Sequence, residues 1–236
     1  MAKKMGKAQT VDPRVFCEAV RAELSALADD ARAAPMRAYM KNRYPFFGIP
    51  TPRRRKAVAP LLKRLAGQNG AALLACAARL WEEPERECCY VAVDLLAKHT
   101  RQLHAGHLAD ILDLVQRNAW WDSVDGLAGV VGDILRGSDP ELVDRVFDVC
   151  LAHPDKWVRR VALLHQLGWN EATSVERLFR GALRLGTETD VFIGKAVGWS
   201  LRDYAWHDPA AVREFVGRNV GRLSPLSVRE ALKNLD

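Results

Sequence analysis

The strongest constraint on this chain is how often it announces a helix start. Asp12-Pro13, Thr51-Pro52, Asp139-Pro140 and Asp208-Pro209 each set a short oxygen-bearing side chain before a proline. Such a side chain accepts from free N–H groups of the first turn. The proline supplies a helical φ where its missing N–H is not needed. Thr173-x-x-Glu176 and Ser227-x-x-Glu230 fit the capping box. Behind these starts, apolar residues recur at helical spacing. Leu142, Val143, Val146, Phe147, Val149, Cys150 and Leu151 make one wide stripe. No stretch alternates with period 2, and the short run around Ile49 is broken by Pro50 and Pro52. The 236-residue chain is therefore predicted to be all-α.

The helices are also paired. Starts near Pro84, Trp120, Pro154 and Asp190 lie 36, 34 and 36 residues apart, each opening an apolar-rich helix that follows a more polar one. A two-helix unit of about 35 residues predicts an α-solenoid of helical repeats of the HEAT or TPR kind. Such a fold buries its core between neighbours and offers one concave face. No linker divides the chain, so residues 11–236 read as a single domain behind a basic tail, residues 1–10, to which no specific role is given.

Composition narrows the function classes. At 49% hydrophobic and 27% charged, the chain is neither collagenous, disordered nor a disulfide-dense mini-protein. Its net charge of +6 is uneven: residues 1–67 hold 15 Lys/Arg against 5 Asp/Glu, and the remainder is acidic on balance. That asymmetry suggests an anionic partner. The five cysteines form no C-x-x-C pair, so buried reduced thiols in a cytoplasmic protein are the simplest reading. No signal peptide or apolar run of membrane-spanning length is visible, so no membrane role is expected. His99, His104 and His107 lack a carboxylate or thiolate at ligand spacing, so no metal is expected. Gly126, Gly129 and Gly132 allow close helix packing but follow no strand, which argues against a dinucleotide loop. Neither a nucleophile elbow nor a Walker motif occurs.

Three clusters carry the candidate chemistry. Trp120-Trp121-Asp122-Ser123-Val124-Asp125 puts Trp121 and Asp125 on one helical face. Lys156-Trp157-Val158-Arg159-Arg160 sets an indole among cations, and Lys195, Trp199 and Arg202 recur on one stripe. Cations suit phosphates and flat rings suit bases or sugars. Arg and Lys stems running past core tryptophans would give the same pattern. The run Arg53-Arg54-Arg55-Lys56 at a helix start is either a phosphate seat or a solvated face.

These clusters resemble the AlkD-like family of DNA alkylation-repair glycosylases, built from HEAT-like repeats. The resemblance runs from about Met36 to Leu232. It is carried by Met36-Arg37-Ala38-Tyr39-Met40-Lys41-Asn42, Phe47-Gly48-Ile49-Pro50-Thr51-Pro52 and Leu80-Trp81-Glu82-Glu83-Pro84-Glu85-Arg86-Glu87. The Trp120–Asp125 cluster, the stretch from Lys195 to Ala205 and Pro225-Leu226-Ser227 complete it. The resemblance implies excision of N3- and N7-alkylated purines from double-stranded DNA, without a cofactor and without flipping the base into a pocket. It implies a catalytic cleft of Asp125, Trp121 and Trp199, with Arg160 on the DNA backbone and Tyr39 as a further cleft residue. Some relatives lack the catalytic Asp and are thought not to cleave; here Asp125 is present.

Lys156, Arg159, Lys195, Arg202 and Arg54 are the further candidate DNA contacts. A monomer acting on DNA in the cytoplasm, at the nucleoid, is expected. The rival reading is a non-catalytic helical-repeat scaffold for DNA or protein, since a fold alone does not fix a function. A carboxylate beside two indoles is what separates the two.

Overall fold

A computed structural model describes residues 11–233 and Leu235; the expected basic tail, residues 1–10, lies outside the described residues. The fold is all-α, as the capping and periodicity predict, with no strand among the described residues. The helices pack in two units, one ending at Asp110 and the other beginning at Ile111.

The first unit holds α1 (Pro13–Ser25), α2 (Asp30–Tyr39), α3 (Thr51–Arg64), α4 (Gly70–Trp81) and α5 (Arg86–Lys98). Within it α1 packs on α3 and α4, and α5 packs on α3 and α4. Asp12 caps α1 as expected, accepting from the Arg14 N–H. Thr51 does not cap α3: it is the first helical residue, Pro50 precedes it, and no side chain caps the helix. The cause lies in the preceding loop. Glu87, 1% exposed, accepts from the N–H groups of Phe47, Gly48 and Ile49 at 3.0, 2.9 and 3.1 Å. That fixes the chain's entry so that the Pro50 carbonyl takes the first helical bond, from Arg54. Gly48 is required there. Its φ is +87°, and a Cβ would lie 2.1 Å from the Asp29 carbonyl oxygen.

The unit boundary falls within α6 (Leu108–Gln116). The second unit continues with α7 (Trp121–Leu135), α8 (Pro140–Leu151), α9 (Lys156–Leu164) and α10 (Val175–Leu185). It ends with α11 (Val191–Ala205), α12 (Pro209–Asn219) and α13 (Pro225–Leu232). Within this unit α7, α9, α11 and α13 pack side by side in one layer, and α8, α10 and α12 cover them in another. This is the helical-repeat arrangement the spacing predicts. The residues before α3, α5, α7, α9, α11 and α13 are Pro50, Glu85, Trp120, Asp155, Asp190 and Ser224. Each follows its predecessor by 35 residues, or 34 in the last case, a more regular period than the sequence alone suggests.

Asp139 and Asp208 cap α8 and α12 as expected. Two capping boxes are displaced. α10 is capped by Ser174 rather than Thr173, through a bond from the Arg177 N–H. α13 is capped by Ser224 rather than Ser227, because Pro225 takes the first helical position and starts the helix three residues early. Ser227 is instead buried, its hydroxyl donating to the Gly194 carbonyl at 3.0 Å. Gly132 gives the close packing expected of the glycine series. A Cβ there would lie 2.0 Å from the His165 carbonyl oxygen. The histidines of residues 99–107 serve structure: His99 bonds the Leu62 carbonyl, and His104 and His107 cap a short turn. All five cysteines are free and buried. No helix among the described residues is long and apolar enough to cross a membrane.

His165 ends α9 almost out of water, 3% exposed, with its ring packed between Phe147 and Trp169. Burial pushes its imidazole down from 6.5 to about 4. A bond to the Ala162 carbonyl works against that shift and the Arg177 charge contributes to it. The unfolded chain therefore takes up a proton between these values and the folded one does not. Stability is full above about pH 6.5 and falls towards pH 4 by about 1 kcal/mol per unit. Urea unfolding across this window will show that slope, and His165→Leu will flatten it.

Candidate functional site

The second unit brings one carboxylate, one guanidinium and one indole together from three neighbouring helices. Trp120 stands just before α7 in an extended conformation, and its carbonyl accepts from the Ser123 and Val124 N–H groups. Trp121 is therefore the first helical residue, and Asp125 follows one turn later on the same face. The tandem tryptophans part company here. The Trp120 ring joins Trp157 and Phe192, with centroids 5.8 and 5.0 Å away, while Trp121 shares the helix face of Asp125 by its i, i+4 spacing.

On α9, Arg160 reaches back to Asp125 with two parallel bonds. Nε donates to Oδ1 at 2.7 Å and Nη2 to Oδ2 at 2.8 Å. Nη1 donates to the Phe192 carbonyl. The guanidinium carbon lies 5.1 Å from the centre of the Trp199 ring, contributed by α11. Arg160 is 1% exposed, whereas the Asp125 side chain keeps 27% of its surface open. The cation is thus internal and its carboxylate forms the accessible surface. Each carboxylate oxygen retains a lone pair beyond the one bonded to Arg160. The arrangement can present negative charge in a fixed orientation to a cation approaching from outside.

Trp199 is held in turn by α13. Its indole Nε1–H donates to Glu230 Oε2 at 3.0 Å, and Arg202 Nη1 donates to the same oxygen at 2.8 Å. Burial acts to raise the Glu230 carboxyl, but the bonds from Arg202 and Trp199 outweigh it and hold the group below its ordinary value.

The remaining candidate cations stand mostly beside acids. Lys156 bonds Asp190 at 2.7 Å, with Nζ 5.3 Å from the Trp157 and Phe192 ring centres. Burial would raise the Asp190 carboxyl, yet bonds from Lys156 and the first turn of α11 leave it lowered. Arg159 bonds Glu188 and the His153 and Pro154 carbonyls. Lys195, on α11, is half-buried and forms no ion pair with the described residues. Lys156 thus pairs with an indole of its own helix, as expected, whereas Arg160 of α9 lies over Trp199 of α11. In the first unit, Arg54 is buried against Asp94 and the Tyr90 ring, and Tyr39 is 71% exposed. Sequence reasoning missed Glu230, Asp190 and Phe192. Glu230 carried a signal: Asp125, Arg160, Lys195 and Glu230 are spaced at 35 residues throughout.

A family model described as "DNA alkylation repair enzyme" matches residues 20–235. Among solved structures, a predicted DNA alkylation repair enzyme from Enterococcus faecalis superposes with a TM-score of 0.81 at 33% identity, covering 88% of this chain and 96% of that one. No curated protein matches the chain.

The burial of Arg160 sets an expectation for stability. Asp125→Ala leaves a buried guanidinium with the Phe192 carbonyl alone, so urea unfolding will show a loss of about 2–3 kcal/mol, less than for a fully buried pair because Asp125 is partly solvated. Asp125→Asn, whose amide oxygen still accepts, will lose less.

Proposed function

Because the chain belongs to the family of DNA alkylation repair enzymes, we propose that it is a DNA glycosylase hydrolysing the N-glycosidic bond of N3- and N7-alkylated purines in duplex DNA, with Asp125 as its catalytic carboxylate. The supporting observation is the fixed, partly exposed Asp125 carboxylate, held by the buried Arg160 with the Trp199 indole on the other side of the guanidinium.

Alkylation at N3 or N7 makes the purine a cation. Such a base leaves with the glycosidic electron pair as a neutral molecule and needs no acid to protonate it. One carboxylate is then enough, where ordinary glycosidases use two. As the bond to C1′ breaks, positive charge develops on the sugar and Asp125 stabilises it. Water adds to C1′ and gives up a proton, leaving an abasic site. A carboxylate that is already oriented need not reorganise as the charge appears. The Trp121 and Trp199 rings favour a cationic nucleoside by about 0.5–2 kcal/mol per contact. An unmodified purine, a poor neutral leaving group, gains little from either feature, so selectivity follows charge. Arg160, buried behind Asp125, acts in this reading as the group that orients the carboxylate.

The test is release of methylated base from duplex DNA carrying 7-methylguanine, under single-turnover conditions. Asp125→Asn will fold and bind duplex with little change but excise about 10²–10³-fold more slowly. Equal rates for the two proteins would refute the assignment and favour the scaffold reading. Lys195 is a cation of this layer that no ion pair among the described residues engages. Lys195→Gln will weaken binding to any duplex and reduce the slope of log affinity against log salt by about 1.

A further inference from the structure

We propose that Glu230 is a positioning residue of the Asp125 site: it fixes the Trp199 indole, and through the guanidinium lying on that indole it sets where the Asp125 carboxylate stands. The proposal rests on the Asp125 reading for its effect on chemistry, though not for its structural content.

The argument begins with a close approach. Gly198 lies on α11 facing α13, and a Cβ there would come within 2.3 Å of the Glu230 Cβ. Only a glycine lets the two helices meet at this point. The contact brings the Glu230 carboxylate, 16% exposed, beside the indole of the next residue, Trp199. An indole has one donor and no acceptor. When that donor is committed to a charged oxygen at 3.0 Å, the plane of the ring is set. Arg202 holds the same oxygen from one turn further along α11 and also bonds the Glu230 backbone carbonyl at 3.2 Å. The carboxylate is therefore itself immobilised.

Arg160 takes its position from that plane. Its N–H edge is directed by Asp125 and the Phe192 carbonyl, and its central carbon lies over the Trp199 ring, 5.1 Å from the ring centre. Were the indole to turn, the guanidinium would lose the surface that defines its tilt. The two parallel bonds would then carry Asp125 with it. The path Glu230, Trp199, Arg160, Asp125 thus crosses α13, α11, α9 and α7 in order, by direct contacts. None of these steps needs Glu230 to touch a substrate.

The test follows the Arg160 Nε–H and Trp199 Nε1–H resonances by nitrogen–proton NMR in the full chain, assigned with Arg160→Lys and Trp199→Phe. Glu230→Gln keeps size and an acceptor but loses the charge. It is expected to shift both resonances, although residue 230 bonds Trp199 and Arg202 and forms no bond to Arg160. Excision of 7-methylguanine will slow about tenfold at saturating protein, with duplex affinity within about twofold. In a Trp199→Phe background, Glu230→Gln will slow the reaction no further. An Arg160 resonance unmoved by Glu230→Gln overturns the proposal whatever the protein's activity. So do rate effects that simply multiply in the double variant. If Asp125→Asn excises as fast as the unaltered protein, the glycosylase reading fails separately, and the two resonances still decide the role of Glu230.

Discussion

A guanidinium withdrawn from water must find acceptors inside the protein, and Arg160 dictates much of the second unit in doing so. Asp125 from α7 and the Phe192 carbonyl from the start of α11 supply them, while α9 carries the arginine itself. Three helices must hold their relative rotation and height for these bonds to form together. A buried ion pair is weak support for stability, because desolvation offsets much of the attraction. Its stronger effect is on geometry, since an imperfect register would leave a charge unpaired in the interior.

The regular repeat makes that register possible. Helices whose first residues recur every 35 positions place residues 125, 160 and 195 at equivalent heights in one layer, and α13, starting one residue early, carries Glu230 one residue further along. Asp125 and Arg160 are thus the same position in adjacent repeats, occupied by opposite charges. Close approaches at Gly132 and Gly198 let the layer pack tightly enough for such bonds to span neighbouring helices.

The fold was legible because helix starts are local: a capping side chain and a proline act within one turn. The misreadings were also local. Thr51, Thr173 and Ser227 each have the chemistry of a cap, but Glu87, Ser174 and Pro225 decided where the helices begin. The motifs singled out Asp125, Trp121, Trp199 and Arg160. Their bonding was not legible, because Arg160 was read beside Trp157 of its own helix when it lies over Trp199 of the next. Glu230 was hidden by its fit to a capping box. Several cations read as phosphate ligands are paired with Asp190, Glu188 and Glu230, residues 28 to 34 positions away, a distance no local pattern reveals.

The cysteines bear on how such a protein survives its surroundings. Reagents that methylate purines are soft electrophiles, and a thiolate is the protein nucleophile they attack most readily. Here all five sulfurs are buried. Burial pushes the thiols of Cys76 and Cys150 up to about 11, and those of Cys17 and Cys88 upward as well. Little thiolate forms at neutral pH and no sulfur lies in the open. The packing that builds the repeats therefore also shields the chain from the agents whose damage its family repairs.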